Sequence, residues 1–270
     1  MKTLACGLFL IFGLSVFAQQ QHLRTNLYNE KAAEGYNVLA DNDEFCPVSM
    51  KIDFELNNMS STNGNHKIFV VPPKTKGFLI TTIKVVKPNA GGGFKTRSQS
   101  NYGDATVLHP AEYIYSLPYK KGESFMVHQG YNGTFSHQGE NAIDFTMPVG
   151  TEIYAARDGV VVKTVESNDQ ACPERSCTQF NNYILIYHND GTFSTYAHLK
   201  KDGSLVKEGD IVKENDLIGY SGFTGFASGP HLHFSVFIQR IDSRDTVRTK
   251  FRTDNGKQIQ ILKEKFTYTK

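Results

Sequence analysis

The chain has no tryptophan, no block of basic residues, and no apolar run long enough to cross a bilayer. Each absence excludes something. A membrane-spanning helix needs about 20 consecutive apolar residues, so no transmembrane segment is expected. With a net charge of +2 and no basic patch, the chain lacks the electrostatic footprint of a nucleic-acid binder. No stretch carries a sustained helical period, which leaves an all-β architecture as the expectation. The 270 residues suffice for one large or two modest domains.

Residues 1–18 stand apart, with Lys2 as a short positive start, an apolar core around Leu8–Phe12 and small residues near Ser15–Ala18. This is the pattern of a secretory signal peptide. It predicts an exported chain beginning near Gln19, periplasmic or extracellular. Cys46, Cys172 and Cys177 remain after export. Cys172 and Cys177 share one polar segment between two strand-like runs, so in an oxidising compartment a local disulfide is expected. Four intervening residues with no second pair nearby do not make a zinc ribbon. Cys46 is left over.

From Thr25 to Pro118 short strand-like runs alternate with polar turns, as at Val48–Leu56, Ile68–Val71 and Phe78–Val86. An antiparallel β module is expected there. His66 and His109 lie in or beside its turns without acidic or cysteine neighbours and read as surface histidines. Further strands are predicted at Ile153–Ala156, Gly159–Val165, Tyr183–His188 and Phe193–Leu199, with Asn189-Asp190-Gly191 as a hairpin signal. Val206–Gly219 holds two similar phrases in tandem, each an apolar pair followed by a charged turn, and reads as scaffold. The expected layout is a signal peptide (1–18), an N-terminal β domain (19–122), a catalytic β domain (123–240) and a C-terminal β extension packing on the core (241–270).

The chemistry concentrates after Phe125, where six of the nine histidines fall. In Gly229-Pro230-His231-Leu232-His233-Phe234 the two histidines are two apart, so on a strand both point to one face. His137, Asp144, His188 and His198 lie upstream. A hydrolytic zinc site uses three protein ligands from His and carboxylate and keeps the fourth position open for water. A further imidazole can take the water's proton. The residues alone leave open which histidines bind metal and which move protons. His188, at a strand end beside a hairpin, reads as structural. Tyr220, Phe223 and Phe226, in the glycine-rich loop before His231, read as groove walls.

Three motifs occur in order: His137 to Asp144 running into Phe-Thr-Met-Pro-Val-Gly-Thr, Tyr196-Ala-His198-Leu, and Gly-Pro-His231-Leu-His233-Phe. Over about residues 125–240 the chain thereby resembles the lysostaphin-like, or LytM-type, zinc metallopeptidases that cut peptides of the bacterial cell wall. The resemblance implies an antiparallel β-sheet domain with a catalytic groove and one Zn2+ per chain held by His137, Asp144 and His233. It casts His198 and His231 as the catalytic pair beside the metal. It also implies an endopeptidase acting on stem or cross-link peptides of peptidoglycan, and a monomer is expected. The alternative is a non-catalytic module of the same fold that binds the wall or activates another hydrolase. In one respect the sequence departs from the family. The family's Asp stands four positions after its first His, whereas six residues separate His137 from Asp144 here. His128 is the fallback ligand, and Tyr131 and His128 are the candidate oxyanion stabilisers.

Overall fold

The computed structural model describes residues 23–108, 110 and 112–270, so the expected signal peptide and His109 lie outside the described residues. Among the described residues, seven strands come first: β1 (Thr25–Ala32), β2 (Gly35–Asn42), β3 (Val48–Asn57), β4 (Met59–Ser61), β5 (His66–Val71), β6 (Thr75–Val85) and β7 (Gly93–Tyr102). They form two sheets, ordered β1-β2-β6-β4 and β5-β3-β7. Strand alternation turns Val48, Met50, Ile52 and Phe54 of β3 inward, where they meet Val38 and Ala40 of β2 and Ile80 and Ile83 of β6. The result is a small sandwich with one apolar seam. His66 does have acidic company: it sits opposite Asp53 in the β3–β5 register and pairs with its carboxylate. The two are 13 residues apart, so only the strand pairing reveals the contact.

The rest of the chain supplies β8 (Ile114–Ser116), β9 (Ser124–Gln129), β10 (Ala142–Thr146), β11 (Glu152–Tyr154), β12 (Gly159–Val165), β13 (Ala171–Cys172), β14 (Tyr183–Tyr187), β15 (Thr192–Ala197) and β16 (Leu199–Ser204). It continues with β17 (Ile211–Val212), β18 (Leu217–Ser221), β19 (Gly225–Phe226), β20 (His231–Gln239), β21 (Arg244–Val247), β22 (Lys250–Thr253), β23 (Gln258–Gln260) and β24 (Thr267–Thr269). The central sheet runs β17-β12-β14-β15-β20-β10-β9-β24, with β21 added to β20. Its strands pair antiparallel; the short β13–β19 and β22–β8 pairs are parallel. A 3-10 turn, Arg175–Phe180, interrupts the β pattern and carries the second loop cysteine, just before β14.

The tandem phrases of 206–219 fold into equivalent turns. The Asp210 carboxylate accepts the Lys207 amide, and the Asp216 carboxylate accepts the Lys213 amide, at 2.9 and 2.7 Å. Each is a carboxylate closing its own turn on the amide three residues back. The tail packs on the same core: Phe251, Leu262 and Tyr268 join Phe145, Tyr196 and Phe234.

The central sheet has two differently used faces. Leu232, Phe234 and Val236 point into that core, so alternation sends His231, His233, Ser235 and Phe237 to the other side. Register places Ala197 opposite His233 and Phe193 opposite Phe237. At the Phe193–Phe237 end this histidine-bearing face is covered by Cys46, Phe45 and Tyr102 of the N-terminal strands and turns. The fit is close: a Cβ on Gly103 would lie 2.6 Å from the Phe193 ring. Polar clasps surround it, with Arg24 bridging Glu44 and Glu208 at 2.6 and 3.0 Å and the Arg240 guanidinium donating to the Ala105 and Val107 carbonyls.

Candidate metal centre and active site

Sheet register builds the first part of the site. Asp144 on β10 lies directly opposite His233 on β20, and opposed residues share a face. His233 Nδ1 is 2.9 Å from Asp144 Oδ1. The third donor comes from a loop, since the segment between β9 and β10 carries His137 into the same space. Its Nε2 stands 3.3 Å from Asp144 Oδ1 and 3.3 Å from His233 Nδ1. A turn absorbs the six residues after His137: the Glu140 amide donates to the His137 carbonyl at 2.9 Å, and Gly139 takes φ +75°. Asn141 then anchors the loop to Thr246 through two hydrogen bonds.

These three donors fit a metal. Four ligands at tetrahedral zinc with bonds of 2.0–2.1 Å lie about 3.3 Å from one another, close to the separations found. The surrounding hydrogen bonds prepare the donors. A backbone carbonyl only accepts, so His137 Nδ1 must donate to Gly130 at 3.1 Å, leaving the Nε2 lone pair facing the cluster. Gln129 Nε2 donates to Asp144 Oδ2 at 3.0 Å, while its own Oε1 accepts the amides of Phe135 and Ser136. Burial alone would raise the Asp144 pKa, yet the hydrogen bonds from His137 and His233 hold it well below the usual carboxylate range. Burial works against a charged His137, but the Asp144 hydrogen bond and charge lift its pKa above 6.5.

A second imidazole pair adjoins the cluster. His198 and His231 have ring centroids 4.4 Å apart, and the His198 ring is 5.9 Å from that of His233. His198 Nδ1 donates to the Thr224 carbonyl at 2.7 Å and His231 Nδ1 to the Gly229 carbonyl at 2.8 Å. Each neutral ring thus offers its Nε2 as a proton acceptor. Burial, then the facing His231 and His233, push the His198 pKa down to about 3. It rests neutral.

The other sequence candidates lie elsewhere. His128 is exposed, on the face of β9 opposite to Gln129. The Tyr131 hydroxyl is hydrogen-bonded to Thr249, 2.7 Å from its Oγ1. His188 is fully buried, bonded to the Asp158 carbonyl and Ser194. Glu140, the carboxylate between His137 and Asp144, is no part of the cluster and pairs with Arg244 at 2.8 Å. Of the aromatic residues expected as groove walls, Phe226 stacks on Phe135 with centroids 6.2 Å apart, and Tyr220 lies under the Lys200 ammonium. Cys172 and Cys177 are joined by a disulfide, and Cys46 is free and buried. Gln129, Thr224 and Asn181 escape sequence reasoning. A glutamine next to His128 is the one faint signal; the other two touch the site only through the fold.

The three donors, with His198 and His231 beside them, form a candidate site for one metal ion on a β-sheet. Residues 138–245 match peptidase family M23, the match beginning one residue after His137. The match covers 108 of the chain's 270 residues, and over this segment the chain is similar to that family. It is 39% identical over 99 residues to peptidoglycan DD-endopeptidase ShyA of Vibrio cholerae, covering 37% of this chain and 20% of the relative. It is 37% identical over 136 residues to lysostaphin of Staphylococcus simulans, covering 50% of this chain and 24% of the relative. These matches thus span a quarter or less of the curated relatives' lengths. The solved catalytic domain of lysostaphin shares 27% identity, with 46% of this chain and 87% of that one covered at a TM-score of 0.34.

Proposed function

We propose that the protein is an exported, monomeric zinc endopeptidase that hydrolyses peptide bonds in the stem or cross-link peptides of bacterial peptidoglycan. The observation that carries this reading is the convergence of His137, Asp144 and His233 beside a second imidazole pair, with every one of these residues except His137 inside the segment that matches a peptidase family and His137 immediately before it. The names of the relatives supply the substrate class.

In this reading His137, Asp144 and His233 hold the ion, with Gln129 and the Gly130 carbonyl fixing their orientation. When bound, zinc supplies Lewis acidity, acidifying water and polarising a peptide carbonyl. His198 or His231 accepts the attacking water's proton at Nε2 and returns it to the leaving amine. Two imidazolium ions with centroids 4.4 Å apart repel one another, so one ring at a time carries the proton. The imidazolium so formed also stabilises the developing oxyanion. The N-terminal β module, strands β1 to β7, serves as an accessory module that positions the wall polymer; Tyr115, Leu117 and Tyr119, expected within it, pack instead in the core of the central sheet. The module's contacts with the sheet at Phe193 and Phe237 support this role over that of a cover for the metal.

The test pairs metal content of the purified mature chain with release of new amino termini from purified peptidoglycan, with and without a chelator. One zinc per chain and chelator-sensitive cleavage are expected. Zinc without cleavage would point to a latent enzyme or a different peptide, whereas the absence of both zinc and cleavage would overturn the reading in favour of a wall-binding module.

A further inference from the structure

His198 occupies the corner between β15 and β16 at φ +62°, a left-handed conformation that a side-chain-bearing residue holds only when its surroundings impose it. Two groups impose it. Asn181 Oδ1 accepts the His198 amide at 3.0 Å, and the Thr224 carbonyl accepts Nδ1–H at 2.7 Å. The first fixes the backbone and the second fixes the ring. They lie 17 and 26 residues from His198, on different loops.

Both clamps hang from one covalent staple. Asn181 ends the 3-10 turn Arg175–Phe180, its amide donating to the Thr178 carbonyl at 3.2 Å, and Cys177 is the buried residue of that turn. Thr224 immediately precedes β19, which pairs in parallel with β13, where Cys172 lies opposite Phe226. The Gly225 amide donates to the Gln170 carbonyl at 2.8 Å, and the Ala227 amide to that of Cys172 at 3.2 Å. Gly225 also packs so tightly on Asn181 that a Cβ there would lie 2.8 Å from the Asn181 Cα. The Cys172–Cys177 bond therefore ties the strand that carries Thr224 to the turn that presents Asn181.

We propose that Asn181 is a positioning residue for His198, and that the Cys172–Cys177 disulfide fixes the loop presenting it. The oxidised protein keeps the His198 ring aimed at the metal cluster; reduction to two thiols releases the aim. For its effect on turnover, the inference rests on the peptidase reading. The geometry of the clamp does not depend on it.

The test follows the His198 Nδ1–H by NMR in the full mature chain labelled with 15N-histidine, without metal. In the oxidised wild type this proton is protected by Thr224 and exchanges slowly. In Asn181→Ala, and in wild type treated with dithiothreitol, which supplies the two electrons and two protons, its exchange accelerates at least about 10-fold. Asn181→Asp keeps an acceptor oxygen and keeps the protection. On peptidoglycan, Asn181→Ala loses about 100-fold in kcat, the scale of a small misplacement of a catalytic group, while KM and bound zinc stay at wild-type values. The double variant Cys172→Ser/Cys177→Ser does the same, and reduction of the native wild type covers the case in which it does not fold. Unchanged Nδ1–H protection in both Asn181→Ala and the reduced protein overturns the inference, whatever the activity. A wild type that cleaves nothing, yet loses protection on reduction, keeps the clamp and overturns the peptidase reading instead.

Discussion

Gln129 donates its side-chain amide to Asp144 Oδ2 at 3.0 Å while Asp144 Oδ1 faces His137 and His233. One carboxylate oxygen is thus taken by the protein and the other is left facing the candidate metal site. Gln129→Met keeps the volume and removes the donor. Metal affinity should fall about 10- to 100-fold, the usual effect of losing such a partner, as read by competition with a chromophoric chelator.

Because the donors are brought together by folding, zinc should stabilise the folded chain. At a free concentration of about 1,000 Kd the linkage amounts to about 4 kcal/mol, and a thermal melt should move up by several degrees. His233→Ala should abolish the shift. His198→Ala should retain it and lose turnover, separating holding the metal from moving the proton.

His188 contributes a pH dependence of its own. Burial pushes its pKa from 6.5 down to about 4, so between these values the unfolded chain binds the proton that the folded chain refuses. Stability is whole above pH 6.5, falls as the pH drops from there towards 4, and below 4 has lost about 3 kcal/mol. Urea unfolding at pH 7.5 and 4.5 should show a smaller loss on acidification in His188→Gln than in wild type.

Gly103 holds φ +80° against the Phe193 ring. Gly103→Ala should cost about 1–3 kcal/mol through overpacking, and more through the left-handed backbone. The unfolding midpoint in urea checks it, and the metal content should be untouched.

Strands with a regular apolar period are legible in the sequence. The run Gly159–Val165 has the same bounds in the structure, and β3 differs from its expected span by one residue. By contrast β7 escapes, because Lys95–Asn101 is polar throughout and largely exposed; its strand character comes from full pairing along β3. The extended run Val247–Phe251 is divided between β21, which lengthens the central sheet, and β22, which leaves it for β8. Within the site, the histidines and Asp144 announce themselves by residue type and motif order. Asn181 and Thr224 do not, since an asparagine side chain and a backbone carbonyl gain meaning only from the 17- and 26-residue separations that the fold closes. The His137–Asp144 spacing is anomalous as a count of residues and ordinary as a turn hinged at Gly139.

Cys46 sits in the apolar seam between the N-terminal strands and the central sheet, its thiol pushed up to about 12 by burial. At pH 8 roughly one molecule in ten thousand carries the reactive thiolate, and burial denies that one a collision partner. Modification of Cys46 must therefore wait for the seam to part. Its alkylation rate is a clock for the breathing of the two halves, already wired into the chain and readable without adding a label.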